Sequence, residues 1–386
     1  MEDVKQLKIW KTIALISLSL LIALGGLYLA KFSKNTQDIA TTTPEASIEP
    51  QVSETPMPEE EISYLSLWTE DAPARVALED FMKKITDENA STFVPMENRI
   101  AVFDLDGTLF CETDPVYFDH MLFMHRVLED PDYKDKATPF QLEVADKVQH
   151  FIDTGEYLPG LDDEHGQGVA SAFAGMTVKE FTAYINDFKS QPAPGYNNMK
   201  RGDAFYLPML EIIDFLQANG FKVYIVSGTD RFIVRGIADG LSFLDIPNNQ
   251  IIGSDELLVS REQGDTIGLD YTYNGEDDLI LAGQFLLKNL KMNKVTVIAQ
   301  EIGIQPILSF GNSTGDSSMA NYVIHNNPYP SLAFMLCCDD TVRENGNVEK
   351  AQKMFDLCAE NGWIPVSMKN DWTTIYGDEV TRKQAN

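Results

Sequence analysis

The sequence predicts an α/β fold built on a parallel sheet. Four short apolar runs have the length and continuous hydrophobicity of strands buried on both faces: Arg99 to Phe103, Phe221 to Val226 ("FKVYIV"), Pro306 to Phe310 ("PILSF") and Ser331 to Leu336 ("SLAFML"). Helical spacing occupies intervals around and between them, at Tyr206 to Asn219, Arg231 to Gly240, Val295 to Ile302 and Val348 to Asn361. Strands that alternate with helices imply parallel pairing with helices on both faces. Three of the strands also end in polar clusters, "DLDGT", "SGTD" and "GNSTGD". Ligands on such sheets bind beyond the carboxyl ends of the strands, so the clusters locate the site.

Composition narrows the possible partners. The chain has 386 residues, enough for one large domain or two modest ones, and 44% are hydrophobic. Lys and Arg total 30 against 59 Asp and Glu, a formal charge of -29. No basic stripe is available to replace phosphate counterions, which argues against nucleic acid. An anionic substrate would need a locally positive site, most simply a metal ion plus a lysine.

The elements follow in chain order. Thr12 to Ala30, "TIALISLSLLIALGGLYLA", is uncharged and about 19 residues long, close to the ~20 that cross a bilayer. Lys5, Lys8 and Lys11 precede it and Lys31 and Lys34 follow, a bias that favours the N-terminus inside and the bulk outside the cell. Residues 1–34 are therefore expected to be a cytoplasmic tip and single-pass membrane anchor. The alternative is a cleaved signal peptide and a secreted product, but the apolar run exceeds the usual signal core and lacks an A-x-A site. Residues 35–63, rich in Thr, Ser, Pro and Glu, read as a disordered tether. Leu65, Trp68, Val76, Leu78, Phe81 and Met82 then recur at helical spacing, with Asn89 at the exit. The α/β core is expected over 64–110 and 204–386. Between its two parts, residues 111–203 carry helical patterns in "VYFDHMLFMHRVLED", "FQLEVADKVQHFID" and "VKEFTAYINDF", an inserted helical cap.

The chemistry begins in "IAVFDLDGTLF", Ile100 to Phe110. Side chains two apart in an extended segment point the same way, so Asp104 and Asp106 face one crevice. Two adjacent carboxylates repel unless a cation intervenes. Such a pair can bind a divalent metal while one member attacks and the other moves a proton. Gly107 permits the tight turn and Thr108 can fix it by hydrogen bonding. Downstream, Ser227 and Gly228 in "SGT" offer a hydroxyl and backbone N–H groups to an anion, ahead of a helix starting near Asp230. Lys294, at the start of a helix behind a capping Asn293, can neutralise phosphate and nucleophile together. Asn312 and Asp316 are oxygen ligands suited to a hard ion such as Mg2+.

These four motifs, in this order, resemble those of the haloacid dehalogenase superfamily of phosphohydrolases, specifically its phosphoserine-phosphatase-like branch. The resemblance spans Trp68 to the C-terminus. It implies a Rossmann-like core, one Mg2+ ion and hydrolysis of a small phosphorylated metabolite through an aspartyl-phosphate. Asp104 would be the nucleophile, Asp106 the general acid/base with its carbonyl on the metal, Ser227 a phosphate ligand and Lys294 the catalytic lysine. Lys288 and Lys291 are rivals for that last role. Asn312 stands where an aspartate is common. Dehalogenases of this fold do without the second aspartate, so the presence of Asp106 argues against dehalogenation. Glu112 lies where related phosphatases place a cap residue that contacts substrate; a solvent-facing glutamate is the alternative. Phosphotransfer through the same intermediate, and a non-catalytic phospholigand receptor, are the competing functions.

Other features read as structural. "LDDEHG" at Leu161 to Gly166 is expected to be a solvated acidic loop. His120 and His125 fall on cap helices, while His150 and His325 have no partner pattern. Cys111, Cys337, Cys338 and Cys358 lack zinc spacing. "LLVSREQGDTIGLDYTYNG" suggests a β-hairpin turning near Gly264, and Trp363 and Trp372 are expected to pack on the core.

Overall fold

The structure, a computed structural model, describes residues 64–383. The expected anchor and the whole of the tether lie outside these residues. Among the described residues no helix is long and apolar enough to cross a membrane. Strands are β1 (Ile100–Phe103), β2 (Tyr196–Asn197), β3 (Lys222–Asp230), β4 (Ile251–Ser260), β5 (Leu279–Leu287), β6 (Leu308–Gly311), β7 (Leu332–Cys337), β8 (Ile364–Ser367) and β9 (Thr381–Arg382). Helices are α1 (Pro73–Thr86), α2 (Phe118–Met124), α3 (Pro139–Thr154), α4 (Leu161–Ala172), α5 (Val178–Lys189), α6 (Leu207–Ala218), α7 (Arg231–Ala238), α8 (Met292–Val297), α9 (Ser317–Ile324) and α10 (Val348–Asn361).

Seven strands form one sheet in the order β5-β4-β3-β1-β6-β7-β8, parallel throughout except for the antiparallel edge strand β5. β1 sits at its centre because all four of its side chains are buried. Phe103, Phe310 and Phe334 pair in register across β1, β6 and β7, and their rings stack with centroids 4.3 and 4.9 Å apart. This ladder fixes the strand ends that carry the first and last polar clusters.

Helices α2 to α5 fill the insertion between β1 and β3. Capping boxes start α3 at Thr138 with Gln141 and α5 at Thr177 with Glu180. The insertion docks on the exposed sheet edge by backbone and side-chain bonds: Gly175 N donates to Leu281 O at 2.8 Å and Leu281 N to Met176 O at 2.9 Å. Gln167 Nε2 donates to the Gly283 carbonyl at 2.9 Å, and its Oε1 accepts from Phe285 N at 3.2 Å. A glutamine amide thus satisfies backbone groups of β5 that an edge strand leaves unpaired.

Four expectations need correction. "LDDEHG" is the first turn of α4: Asp162, Asp163 and Glu164 sit at its N-terminus, where the helix dipole favours acids, and His165 is buried. The hairpin has its second strand at β5, so Ile267 to Tyr273 form a connecting loop and not a strand. Helix α1 begins at Pro73, leaving Leu65 and Trp68 buried in the preceding turn and Val76 exposed. Asn293 lies inside α8, whose cap position is Lys291, and its amide donates to the Lys288 carbonyl. Trp363 and Trp372 are both buried, the latter edge-on to Trp68 at 5.8 Å.

Candidate active site

The cavity at the carboxyl ends of β1, β3 and β6 encloses about 340 Å³ and is lined by Asp104, Asp106, Glu112, Gly228, Thr229, Lys288, Lys291, Asn312 and Asp316, among others. β1 ends at Phe103, and Asp104 N donates to the Phe310 carbonyl at 2.9 Å, so the first polar residue is pinned to the neighbouring strand. The chain then reverses: Gly107 N donates to Phe110 O at 2.7 Å and Leu109 N to Leu105 O at 2.8 Å. Gly107 has a φ of +73°, and a Cβ there would come within 1.9 Å of Asn312 Nδ2 and 2.7 Å of Glu112 Cδ. Only glycine lets the first and last motifs approach this closely. The Thr108 hydroxyl, expected to brace this turn, is buried without a partner; backbone bonds hold the turn instead.

Lys294 is fully buried, and its Nζ donates to Asp104 Oδ1 at 2.5 Å and to Asp316 Oδ1 at 2.6 Å. Burial opposes its charge, but the two carboxylates outweigh this and hold its pKa above the ordinary lysine value. Of the three candidate lysines it is the one that bridges Asp104 and Asp316, whereas Lys288 and Lys291 line the cavity wall. Asp316 Oδ2 accepts from the backbone N–H groups of Asn312 and Ser313, both at 3.1 Å. That carboxylate therefore shapes the loop as well as neutralising Lys294.

Burial, with Asp316 repelling it, pushes Asp104 up to about 7 despite the pull of Lys294. Burial first, then repulsion from Asp119 and Asp104, holds Asp106 well above the usual carboxylate range. Thr229 Oγ1 donates to Asp106 Oδ2 at 2.7 Å, while Asp106 Oδ1 is buried with no partner. Thr229 escaped the sequence reading. It follows Ser227 and Gly228 because β3 continues to Asp230, past the expected end at Val226, so residue 229 remains extended and aimed at β1.

Ser227 is fully buried, and its Oγ accepts from Thr229 N at 3.0 Å; Gly228 and Thr229 form the cavity wall at this point. Asp230 caps α7 by accepting from Phe232 N and Ile233 N. Glu112 is not solvent-facing: its side chain is 12% exposed, with Lys350 Nζ 3.7 Å away. Burial raises its pKa, opposed by Lys350 and by the neighbouring Asn312 amide. Asp104, the Asp106 carbonyl and the Asn312 amide oxygen are hard oxygen donors of the kind Mg2+ takes. A buried Asp106 oxygen without a partner and the mutual repulsion of Asp104 and Asp316 fit such an ion.

Residues 101–321 match the family model of haloacid dehalogenase-like hydrolases. No curated protein matches the chain. Among solved structures, the chain is similar to a protein of unknown function from Anaerococcus prevotii (15% identity, 76% of this chain and 91% of that one, TM-score 0.46). It is also similar to cytosolic 5'-nucleotidase IIIB bound to cytidine (13% identity, 78% and 88%, TM-score 0.46). A third is a phosphoserine phosphohydrolase-like protein from Francisella tularensis (15% identity, 66% and 92%, TM-score 0.36). The family model covers more than half of the sequence, from the first strand to beyond the last polar cluster, and the chain belongs to the haloacid dehalogenase-like hydrolases.

Proposed function

We propose that the chain is a Mg2+-dependent phosphomonoesterase that works through an aspartyl-phosphate on Asp104. The observation that carries this reading is the pairing of unequal carboxylates at the end of β1. Lys294 grips Asp104 Oδ1, which favours the ionised, attacking form. Asp106 keeps its proton, and with Oδ2 accepting from Thr229 the proton belongs on the unpartnered Oδ1. Asp104 attacks phosphorus as the ester P–O bond breaks, and Asp106 gives that proton to the departing oxygen. Asp106 then takes a proton from water, whose oxygen displaces Asp104 and releases phosphate. The backbone N–H of Gly228 and the Lys291 ammonium would meet phosphate oxygens, with the Ser227 hydroxyl behind them, itself braced by Thr229 N. Mg2+ held by Asp104, the Asp106 carbonyl and Asn312, with Asp316 behind, would neutralise the phosphate and keep Asp104 ionised.

The insertion of four helices between the first and second motifs, with Glu112 facing Asn312, supports the phosphoserine-phosphatase-like branch and a small phosphorylated metabolite. Glu112 is the cap residue for an amine or other cationic group on the leaving alcohol. The apolar run Thr12 to Ala30 and its lysine flanks support a single-pass anchor with the catalytic unit outside the cell. Acid-quenched incubation with a 32P-labelled aryl phosphate tests the chemistry. The protein should trap label, and Asp104→Asn should trap none and lose turnover by at least ~1000-fold. Wild-type turnover by Asp104→Asn would remove the covalent mechanism.

A further inference from the structure

The cap holds a second cluster that the proposed hydrolysis does not use. Asp119 and His120 on α2 and His165 on α4 are all at most 3% exposed, and one donor atom from each lies within 4.8 Å of the others. The imidazoles stack with centroids 3.8 Å apart and planes 22° off parallel. His120 Nδ1 lies 2.7 Å from Asp119 Oδ1, and His165 Nδ1 lies 3.8 Å from Asp119 Oδ2. Nδ1 of His120 must carry the proton to bond a carboxylate, which leaves the lone pair on Nε2. His165 turns the same nitrogen toward Asp119, but beyond hydrogen-bond distance. The Nε2 atoms of both rings are buried with no hydrogen-bond partner.

Two unpartnered imidazole nitrogens in one buried spot are costly, about 1–3 kcal/mol each. An imidazole whose Nδ1 is held by an oxygen and whose Nε2 is bare, as in His120, has the arrangement of a metal-ligating histidine, in which the oxygen orients the ring, and the bare Nε2 of His165 is its stacked neighbour. The geometry points to a binding site for one late first-row divalent ion, Zn2+ or Co2+, held by His120 and His165 through Nε2, with Asp119 as the orienting carboxylate. Nitrogen donors select such ions over Mg2+, whereas the oxygen set at Asp104 and Asn312 does the reverse. Asp119 also offsets the nearby Lys288 charge, which otherwise opposes a cation. The ion would tie α2 to α4 at the cavity wall, since Asp119 and His120 line that wall. None of this depends on the phosphatase reading.

Co2+ titration of the full-length protein in excess Mg2+, read by visible absorption, tests the site. One equivalent should bind with tetrahedral d–d bands, survive Asp104→Asn, and be lost in His120→Phe and His165→Phe, which keep the ring packing but remove the nitrogens. Unchanged binding in the His variants, loss only in Asp104→Asn, or no binding by the wild type would each overturn the proposal. If the His variants fail to fold, X-ray absorption of the cobalt-loaded wild type decides: two imidazole scatterers support the site, and an all-oxygen shell refutes it.

Discussion

Replacing Lys294 by Met keeps the length and apolar bulk of the side chain and removes its charge. In the wild type that ammonium is fully buried between Asp104 and Asp316, at 2.5 and 2.6 Å. Removing one partner from a buried ion pair costs about 3–5 kcal/mol, because the remaining charge has neither water nor a counterion. Here two carboxylates are stranded, so the upper half of that range applies when both are ionised. The pH dependence has a definite sign. Folded Asp104 binds its proton more tightly than the unfolded chain does, with a pKa of about 7 against ~3.9. Its stabilising contribution is therefore complete below the unfolded value and is lost as pH climbs through the folded one. Lys294 pulls that folded pKa down, so deleting it moves the loss to higher pH and deepens it. Urea unfolding of the Mg2+-free protein, followed by tryptophan fluorescence, should show Lys294→Met destabilised by about 4–5 kcal/mol at pH 8 and by clearly less at pH 5, where Asp104 is protonated. An equal deficit at the two pH values, or one below about 1 kcal/mol at pH 8, would show that the ammonium does not compensate these carboxylates.

The other expectations concern Asn312 and Thr229. Asn312→Asp sets a second carboxylate against Glu112, so the Mg2+-free variant should unfold at lower temperature than the wild type, by a few degrees. Saturating Mg2+ should raise its Tm by more than it raises the wild type's; equal shifts would mean that residue 312 never meets the ion. Thr229→Val removes the donor to Asp106 Oδ2 and should cost about 1–2 kcal/mol at alkaline pH. With that donor gone, the Asp106 pKa rises further and the alkaline limb of kcat/KM moves to higher pH; an unmoved limb would mean that Asp106 is not the titrating acid.

The parallel core was legible because its strands are buried on both faces and read as uninterrupted apolar runs. The same signal fails at the sheet edges. β8 is only "IPVS", four residues with a proline, and β5 is an edge strand whose Leu279 and Leu286 face outward. α4 was hidden by its own composition, three acids followed by two glycines. The acids suit a helix N-terminus, and the glycines answer a packing demand. A Cβ on Gly166 would lie 2.6 Å from the Phe285 ring, and one on Gly168 3.1 Å from Phe123. Such tertiary crowding leaves no trace in local pattern, so a helix that buries His165 passed for a loop. At the site, Asp104, Asp106, Asn312 and Asp316 line one cavity with Lys294 buried behind them, from three separate segments, each next to a strand end or helix start that the sequence marks. Thr229 was missed because the end of β3 was drawn three residues short of it, and a threonine after a glycine carries no signal of its own.

Charge explains why asparagine is tolerable at position 312. The cavity wall carries Asp104, Asp106, Glu112, Asp119, Asp162 and Asp316 against Lys288, Lys291 and Lys350, on a chain already at -29. Lys294, the best-placed cation, has its ammonium committed to two carboxylates and cannot also serve a phosphate dianion without loosening its hold on them. On the reading proposed above, the substrate's charge must then be met by Mg2+, Lys291 and the backbone N–H of Gly228. An aspartate at 312 would add an anion within reach of Glu112, in a place where a Cβ on Gly107 would already clash with both side chains. The amide avoids that repulsion because its two ends do different work. Its N–H group faces Glu112, and its oxygen remains available to the ion. The departure at 312 and the buried glutamate at 112 are therefore one arrangement, in which the charge that 312 gives up is carried by Glu112, its neighbour beside Gly107.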